Sequence, residues 1–270
     1  MTTDPPSDIG AAPAKRPGRR AQRAVIMSTD GSRPLYKEVK LAITRILSAG
    51  EVGGGDAIPT EKQLSERFGV SVGTIRKAID ELVAERVLIR QQGRGTFLAP
   101  LSPERMLNYF WHIVRKDGTR EVPIVQTLGF QGVPADAETA ARLGIPPGAG
   151  IFRIRNLLLL GGEPVIIDDI RIAQAMFPGL TEADFVSRDT TVYGLYQSRF
   201  NVSVLKAFDR LSAVAADPAS AKQLGVALST PLLQIDRIAL TFEDRPVESR
   251  RSLLLTDRYE YHNALTSEEH

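Results

Sequence analysis

Polar and basic side chains at a spacing suited to binding lie mainly in one stretch of the chain, residues 58–98. A predicted helix there has apolar residues at helical spacing, which leaves polar and basic side chains for its other face: Thr74, Arg76 and Lys77. Farther on, Gly93-Arg94-Gly95 predicts a tight turn with the arginine at its tip. Side chains near a helix N-terminus can reach base edges in the major groove, and an arginine fits a narrow minor groove. The stretch therefore predicts contacts to double-stranded DNA.

Two helices and a hairpin must position these side chains. Thr60 begins the first helix with a capping box, and the helix ends at Gly69 in a left-handed turn. Ser71 caps the second helix, and a short strand follows on each side of the glycine turn. A helix, a turn, a second helix and a basic hairpin form a winged helix-turn-helix. The alternative interpretation is a small helical core with a solvated hairpin.

The adjacent carboxylates Asp168 and Asp169 are the residues best suited to acid–base catalysis. Neighbouring residues of a strand point to opposite faces, so the two could not act together in one site. No Ser/His/Asp arrangement, phosphate loop or metal-ligand cluster accompanies them, and the chain has no cysteine. We expect no catalytic residues, no metal and no cofactor. A lyase-like enzyme and a DNA-binding protein without a ligand remain as alternatives.

The charge of the chain is unevenly distributed. Residues 33–100 contain eleven Lys and Arg against eight Asp and Glu, whereas residues 101–270 contain eighteen against twenty-one. A basic DNA-binding domain joined to a mildly acidic second domain is typical of a regulator. No apolar run is long enough to span a bilayer, and the N-terminus has no signal-peptide pattern. We therefore expect a cytoplasmic protein without membrane association.

The N-terminal motifs resemble the signature of the GntR family. The motifs that match, in order, are Leu35-Tyr36, Gly55-Asp56, Pro59-Thr60-Glu61-Lys62, Phe68-Gly69-Val70-Ser71, Thr74-Ile75-Arg76 and Gly93-Arg94-Gly95-Thr96-Phe97. In that family, the positions of Lys62, Arg76 and Gly93 contact DNA. Many members have an arginine after the capping serine, where this chain has Val72, which predicts that its operator departs from the commonest one.

The resemblance and the residue pattern together predict a DNA-binding surface. Its members are Tyr36, Thr60, Lys62, Ser71, Thr74, Arg76, Lys77, Arg90, Gly93, Arg94, Gly95 and Thr96. For Tyr36 the alternative is simple packing within the first predicted helix, which Pro34 opens.

Composition divides the chain into four parts. Residues 1–32 are rich in Pro, Ala, Gly and Ser with clustered Arg and Lys, and we interpret them as a disordered basic arm. The arm either adds phosphate contacts or is a dispensable tail. We assign residues 33–100 to the DNA-binding domain, 101–120 to a linker and 121–265 to a second domain. Within the linker, an apolar patch at 106–114 is either a docking or dimer surface or a strand of the second core.

The second domain contains an internal duplication. Residues 136–168 resemble residues 217–250 at an offset of 81 to 82. In each copy an Asp N-cap begins a short helix that ends at Leu-Gly, and two apolar strands follow. Further strands at 121–130 and 202–215 and a helix near 191–200 complete the prediction. The fold class is α+β, with helices packed on one antiparallel sheet.

This pattern resembles the effector-binding UTRA domain of the HutC branch, a relative of the chorismate lyase fold. The residues that carry the resemblance are Leu143-Gly144, Gly162-Glu163-Pro164-Val165, Phe177-Pro178-Gly179-Leu180, Val192-Tyr193, Leu224-Gly225, Pro246-Val247-Glu248 and Asp257-Arg258-Tyr259. The resemblance implies a small-molecule pocket between the two halves. It implies these effector-binding candidates: Arg153, Arg155, Asp168, Asp169, Tyr193, Glu248 and Tyr259. For Tyr193 and Glu248 a purely structural role is the alternative.

The family often has Arg-x-Arg about six residues before the proline of the Gly-x-Pro turn. Here those positions hold Asn156 and Leu158, while Arg153 and Arg155 come earlier. A shift by an odd number of residues along the strand would place these arginines on the other face of the sheet. This departure from the family pattern argues against a sugar phosphate as effector. We expect a homodimeric regulator, more commonly a repressor in this family, that reads an inverted repeat and responds to a small metabolite.

Overall fold

The structure is a computed structural model that describes residues 34–52, 56–101 and 109–263. The predicted basic arm at 1–32, Gly55 and residues 106–108 of the apolar patch lie outside the described ranges. Within these ranges, no helix combines the length and apolar character needed to cross a bilayer.

The N-terminal domain is the predicted winged helix-turn-helix. Its elements are α1 (Leu35–Ser48), α2 (Glu61–Phe68), α3 (Val72–Ala84), β1 (Leu88–Gln91) and β2 (Gly95–Leu98). The capping box at Thr60 is confirmed, because its side chain accepts from the Gln63 N–H and its own N–H donates to the Gln63 side chain. Gly69 ends α2 with φ 70° and ψ 31°, the left-handed geometry that glycine adopts without strain.

The core of this domain comes from the apolar faces of the three helices. Ile43 of α1, Ile75 and Leu82 of α3, and Leu88 of β1 are all almost fully buried. One member of the cluster comes from the second domain: Phe242, in the turn between two strands of the sheet. Arg45 of α1 also pairs with Glu243 of that turn at 3.4 Å. The two domains therefore share a packed contact.

The second domain is built on a six-stranded antiparallel sheet. Its strands are β4 (Ile124–Pro134), β5 (Gly150–Leu160), β6 (Glu163–Ala173), β7 (Lys206–Ala215), β8 (Pro231–Leu240) and β9 (Pro246–Leu255). They lie in the order β4-β5-β6-β9-β8-β7. A separate pair is formed by β3 (Ile113–Arg115) and β10 (Tyr259–Tyr261). Part of the apolar patch in the predicted linker is thus a strand, one of its two predicted alternatives.

The duplication is visible as two βαββ units, β4-α4-β5-β6 and β7-α7-β8-β9. We call them the first and the second repeat; α4 is Ala137–Leu143 and α7 is Pro218–Leu224. The side chains of Asp136 and Asp217 cap these helices, each accepting an N–H at 2.7 Å. Gly144 and Gly225 end them in the left-handed conformation. The predicted caps and the twofold layout are confirmed.

The two faces of the sheet carry different helices. We call the face under α5 (Glu182–Val186) and α6 (Val192–Phe200) the inner face and the other, under α4 and α7, the outer face. Phe185 of α5 and Tyr193 and Tyr196 of α6 pack with Ile154 and Ile170 of the inner face. Ala221 and Leu224 of α7 pack with residues of the outer face, including Leu157 and Ile167. Alternation along each strand therefore decides which residues can share a site.

Candidate functional site

Helix α3 presents the predicted base-contacting side chains to solvent. Ser71 accepts the Thr74 N–H at 3.1 Å, so the cap fixes where the helix begins. Ile75 and Ile79 point into the core, and this rotation leaves Arg76 and Lys77 exposed. None of the twelve predicted DNA-binding residues, all of them described, is buried.

Two carboxylates hold the exposed arginines of this surface. Arg76 donates to Glu61 from Nη2 at 2.8 Å and from Nε at 3.1 Å. Arg90 of β1 pairs with Asp80 at 2.6 Å and lies 3.8 Å from Glu61. Glu61 thus lies between an arginine of α3 and one of the wing. Sequence reasoning did not assign a role to either carboxylate; they orient guanidinium groups that a phosphate or base could also bind.

The wing has a backbone that suits close approach to a nucleic acid strand. Gly93 and Gly95 both have positive φ, 70° and 122°. A Cβ on Gly95 would lie 3.3 Å from the Ala57 Cβ, because the wing packs against the segment before α2. The guanidinium of Arg94 lies 5.9 Å from the Phe97 ring centroid and remains exposed. Glycine is needed at both positions for the tight tip.

The remaining predicted residues border the same surface. Lys77 lies with its Nζ 4.2 Å from the ring centroid of Tyr36. A hydrogen bond with Glu81 raises the pKa of Tyr36, so this hydroxyl stays protonated. Lys62 is exposed in the first turn of α2. Thr60 caps α2 and Thr96 belongs to β2, and the Ile58 N–H donates to the Thr96 carbonyl at 2.8 Å, which holds the segment before α2 against the wing.

A cavity of about 370 Å³ lies against the inner face of the first repeat. Strands β5, β6 and β9 form its floor, the segment around Val122 forms one wall, and the residues that lead into α6 form another. Its lining residues are Trp111, Val122, Pro123, Val125, Asn156, Leu158, Asp168, Ile170, Arg188, Asp189, Thr190, Thr191, Val192 and Arg250. Its volume is in the range of small-molecule sites.

Four lining residues carry a buried polar atom that has no hydrogen-bond partner among the described protein atoms. These atoms are Trp111 Nε1, Asn156 Oδ1, Arg188 Nε and Arg250 Nη2. Buried polar groups in native proteins are nearly always hydrogen-bonded, and leaving one unsatisfied costs about 1–3 kcal/mol. Three donors and one acceptor around one cavity are what a polar ligand would satisfy.

A buried network supports the floor of the cavity. Asp168 accepts from Ser252 Oγ at 2.5 Å and from Arg250 Nη1 at 3.2 Å. Glu248, fully buried, accepts from Arg250 Nε at 2.9 Å and from the hydroxyls of Tyr193 and Tyr196 at 3.1 and 2.9 Å. These bonds fix the guanidinium of Arg250 and leave its Nη2 without a hydrogen-bond partner among the described protein atoms.

Burial sets the protonation of this network. It raises the pKa of Asp168, although the charge of Arg250 and the Ser252 hydrogen bond lower it. Burial and then the charge of Glu248 raise the pKa of both Tyr193 and Tyr196. Both tyrosines therefore stay protonated and act as donors.

The seven residues predicted to bind an effector occupy three places. Asp168 lines the cavity, and Glu248 and Tyr193 lie behind Arg250. Arg153, Arg155 and Asp169 face a smaller groove of about 140 Å³ on the outer face, where Arg153 pairs with Asp169 at 2.5 Å. Tyr259 is buried with its hydroxyl 3.5 Å from Glu121.

The sequence analysis did not assign Trp111, Asn156, Arg188 and Arg250 to the effector site. Asn156 had a signal, because it stands at the position of the family's first arginine. Arg250 also had one, because it shares strand parity with Glu248. Trp111 and Arg188 come from irregular segments, and no local pattern predicts where such segments fold.

Comparisons with known proteins agree with this two-domain architecture. The sequence model described as "Bacterial regulatory proteins, gntR family" matches residues 35–98, and that of the UTRA domain matches residues 119–260. The chain is 34% identical over 218 residues to the "Probable fructoselysine utilization operon transcriptional repressor" of Escherichia coli, covering 79% of this chain and 87% of that one. It is 26% identical over 229 residues to the transcriptional repressor NagR of Bacillus subtilis, covering 84% and 93%.

A solved structure agrees with the fold of the second domain. The ligand-binding domain of a GntR-family regulator from Bordetella bronchiseptica is 37% identical, with a TM-score of 0.55, and the match covers 57% of this chain and 96% of that chain. A winged helix with an exposed basic surface, a UTRA domain with a cavity lined by charged and apolar side chains, and relatives that are repressors all point to one class. The chain belongs to the GntR family of bacterial transcriptional regulators, as a DNA-binding regulator whose UTRA domain binds a small-molecule effector.

Proposed function

We propose that the effector binds in the cavity of the first repeat and is held by Trp111, Asn156, Arg188 and Arg250. The observation that carries this proposal is that four residues lining one cavity each carry a buried polar atom without a hydrogen-bond partner among the described protein atoms. The outer-face groove supports the proposal less well, because none of its lining residues, all of them described, carries a buried polar atom without a hydrogen-bond partner.

The lining indicates the chemical class of the effector. Two guanidinium groups and an indole N–H favour an anionic oxygen, as in a carboxylate or a phosphate. The carbonyl oxygen of Asn156 and the carboxylate of Asp168 favour a hydroxyl or amine donor. Apolar side chains, among them Val125, Leu158 and Ile170, cover the rest of the surface. The effector would therefore combine an anionic oxygen, a hydroxyl or amine donor and an apolar part.

The proposed reading head is the exposed surface of α3 and the wing. Arg76 would contact a base edge, Arg94 the minor groove, and Lys62, Lys77 and Arg90 the phosphates. We propose a homodimer, because twofold symmetry would match an inverted repeat. Repression is the mode named for both relatives, and we propose it here. Asp168 and Asp169 face opposite sides of the sheet, which supports a protein without catalytic activity.

The first experiment is a gel shift at fixed salt with DNA from immediately upstream of the gene. Carboxylates and phosphate monoesters are added in separate arms, so that the two sources of an anionic group are distinguished. A compound that releases the protein should also raise its melting temperature, since a ligand at about 100 times its Kd adds about 2.7 kcal/mol to stability. Specific DNA binding that no compound alters would contradict the effector proposal. If unbiased operator selection finds no preference over random DNA, the proposal that α3 and the wing read an operator would be contradicted.

Base reading by Arg76 has a direct test. Arg76→Ala should lose roughly 1–3 kcal/mol of discrimination at one operator position if the arginine makes a bidentate base contact. Arg67→Ala is the matched control, because Arg67 lies on α2, pairs with Glu51 at 2.9 Å and is not in the predicted surface. Unchanged discrimination among operator variants by the Arg76 variant would show that this role is wrong.

A further inference from the structure

Helix α6 holds the main chain that leaves the wing. We call residues 99–101 the post-wing segment; it follows β2 directly. Gln197 donates from Nε2 to the Ala99 carbonyl at 3.1 Å, and its Oε1 accepts the Leu101 N–H at 2.9 Å. All three residues are buried, so water does not compete for these bonds. The side chain of Gln197 thus binds two main-chain polar groups of the segment, and the Thr191 hydroxyl donates to a third, the Leu101 carbonyl, at 3.4 Å.

The same segment is joined to the DNA-binding domain. The Ala99 N–H donates to the Val87 carbonyl at 2.9 Å, which continues the pairing of the wing strands by one residue. The side chain of Leu101 lies in the core of the second domain with Tyr193 and Tyr196. A displacement of this segment would therefore move β2 and the wing relative to the sheet.

The first turn of α6 is a wall of the cavity. Thr190, Thr191 and Val192 line it, and Thr191 caps the helix by accepting the Gly194 N–H at 3.0 Å. Gly194 allows close contact, because a Cβ there would lie 2.3 Å from Thr190 Oγ1. The residues that form this wall of the cavity are thus in close contact with the first turn of α6. Along a helix, the six steps from Thr191 to Gln197 span about 9 Å.

A second connection runs through the floor of the cavity. Arg250 contributes one of the unpartnered atoms and also donates to Glu248. Glu248 accepts from Tyr193, about one turn before Gln197, and from Tyr196, the residue directly before it. A ligand that moves the Arg250 guanidinium would therefore also displace α6 through these hydrogen bonds.

We propose that Gln197 is a positioning residue that couples the effector cavity to the wing. The inference rests on the proposed effector cavity and adds the route by which that cavity acts on DNA binding. Because the two hydrogen bonds of Gln197 join α6 to the post-wing segment, a shift of the first turn of α6 is passed to β2. The coupling is reciprocal, so operator binding must in turn alter the cavity.

Trp111 offers a test that needs no identified effector. It is the only tryptophan of the chain and lines the cavity. The full-length protein is titrated with labelled operator DNA; anisotropy of the label reports binding, and tryptophan emission reports the cavity. The unmodified protein should show a change in emission that follows the anisotropy. Gln197→Leu should bind the operator and lose the emission change.

Gln223→Leu is the matched control, because Gln223 is on the outer face and contacts Arg155 rather than the post-wing segment. It should respond like the unmodified protein. A normal emission change in Gln197→Leu, or a silent Trp111 in the unmodified protein when operator is bound, would overturn the coupling. Absence of operator binding by the unmodified protein would instead overturn the regulator function, and the coupling with it.

Hydrogen exchange gives a second readout that does not depend on a variant folding. In the unmodified protein, the Leu101 amide should be protected to the same degree as the amides of α6, with and without operator. Rapid exchange of Leu101 while α6 stays protected would show that Gln197 does not hold the segment, and would overturn the proposal.

Discussion

The two repeats of the UTRA domain share a backbone plan but carry different side chains at three equivalent positions that are neighbours across the strands. In the first repeat, Asn156 of β5 stands opposite Asp168 of β6 and opposite Thr127 of β4. In the second, Arg237 of β8 stands opposite Arg250 of β9 and Asp209 of β7. Arg237 makes two hydrogen bonds to Asp209, at 2.7 and 2.6 Å, and Tyr261 donates to the same carboxylate at 2.7 Å.

This difference explains why one half is open and the other filled. The Arg237–Asp209 ion pair occupies the inner face of the second repeat, where the adjacent space is only about 30 Å³. Asn156 is shorter and its Oδ1 has no partner among the described atoms. Duplication therefore gives both repeats the same βαββ backbone. Side-chain volume and charge pairing decide which of the two repeats has a cavity.

The largest effect on stability should come from removing one partner of the Arg237–Asp209 ion pair, which fills the second repeat. Both side chains of the Arg237–Asp209 pair are only 9% exposed, so Asp209→Ala leaves a buried charge without its partner and should cost about 3–5 kcal/mol in the free energy of unfolding. Thr127→Ala, at the equivalent position of the first repeat, should cost far less. Chemical denaturation measures both, and similar losses in the two variants would contradict the difference between the repeats.

The converse test introduces an equivalent of the Arg237–Asp209 ion pair into the first repeat. Thr127→Asp with Asn156→Arg should fill the cavity and abolish the effect of the effector on operator release, while operator binding itself persists. The measurement is the gel shift with the releasing compound. An unchanged response to the compound would show that the cavity is not the effector site.

The shared frame should respond equally in both repeats. Gly144 and Gly225 have φ of 63° and 68°, a conformation that costs a residue with a Cβ roughly 1–2 kcal/mol. Gly144→Ala and Gly225→Ala should therefore lower the free energy of unfolding by the same amount. A clear inequality would indicate that the two αβ turns are not equivalent.

The smallest predicted effect is a pH dependence of the two caps. Hydrogen bonds from Thr139 lower the pKa of Asp136, and those from Ser220 lower the pKa of Asp217. A carboxylate whose pKa falls on folding stabilises the protein above its unfolded pKa of about 3.9, and this contribution is lost as the pH falls through the folded value. Asp136→Ala and Asp217→Ala should each be destabilised at neutral pH, by similar amounts, and should approach the parent in acid. Melting temperatures across pH measure this.

Much of the frame was predictable because its signals are local. The capping box at Thr60, the serine cap of α3 and the Asp and Gly caps of the repeats each need only a few neighbouring residues, and each has the predicted conformation. The exposed basic surface followed from helical periodicity, which leaves Arg76 and Lys77 outside the buried stripe of Ile75 and Ile79.

The cavity was less predictable because it depends on contacts between distant segments. Strand alternation separates Asp168 from Asp169, but it does not tell which face α6 covers. That face is decided by the packing of Tyr193 and Tyr196 on Ile154 and Ile170. Trp111 and Arg188 reach the cavity from irregular chain on either side of the domain, where no periodic pattern exists.

The most direct test of effector binding compares Asn156→Leu with Arg153→Gln. The first variant removes an unpartnered buried acceptor of the inner face, and the second changes a paired arginine of the outer face. With the releasing compound from the gel-shift screen, binding is measured by calorimetry on the full-length protein. We predict that Asn156→Leu folds at least as stably as the parent and loses affinity, while Arg153→Gln binds normally. Normal binding by Asn156→Leu with loss in Arg153→Gln would contradict the account and move the effector to the outer face.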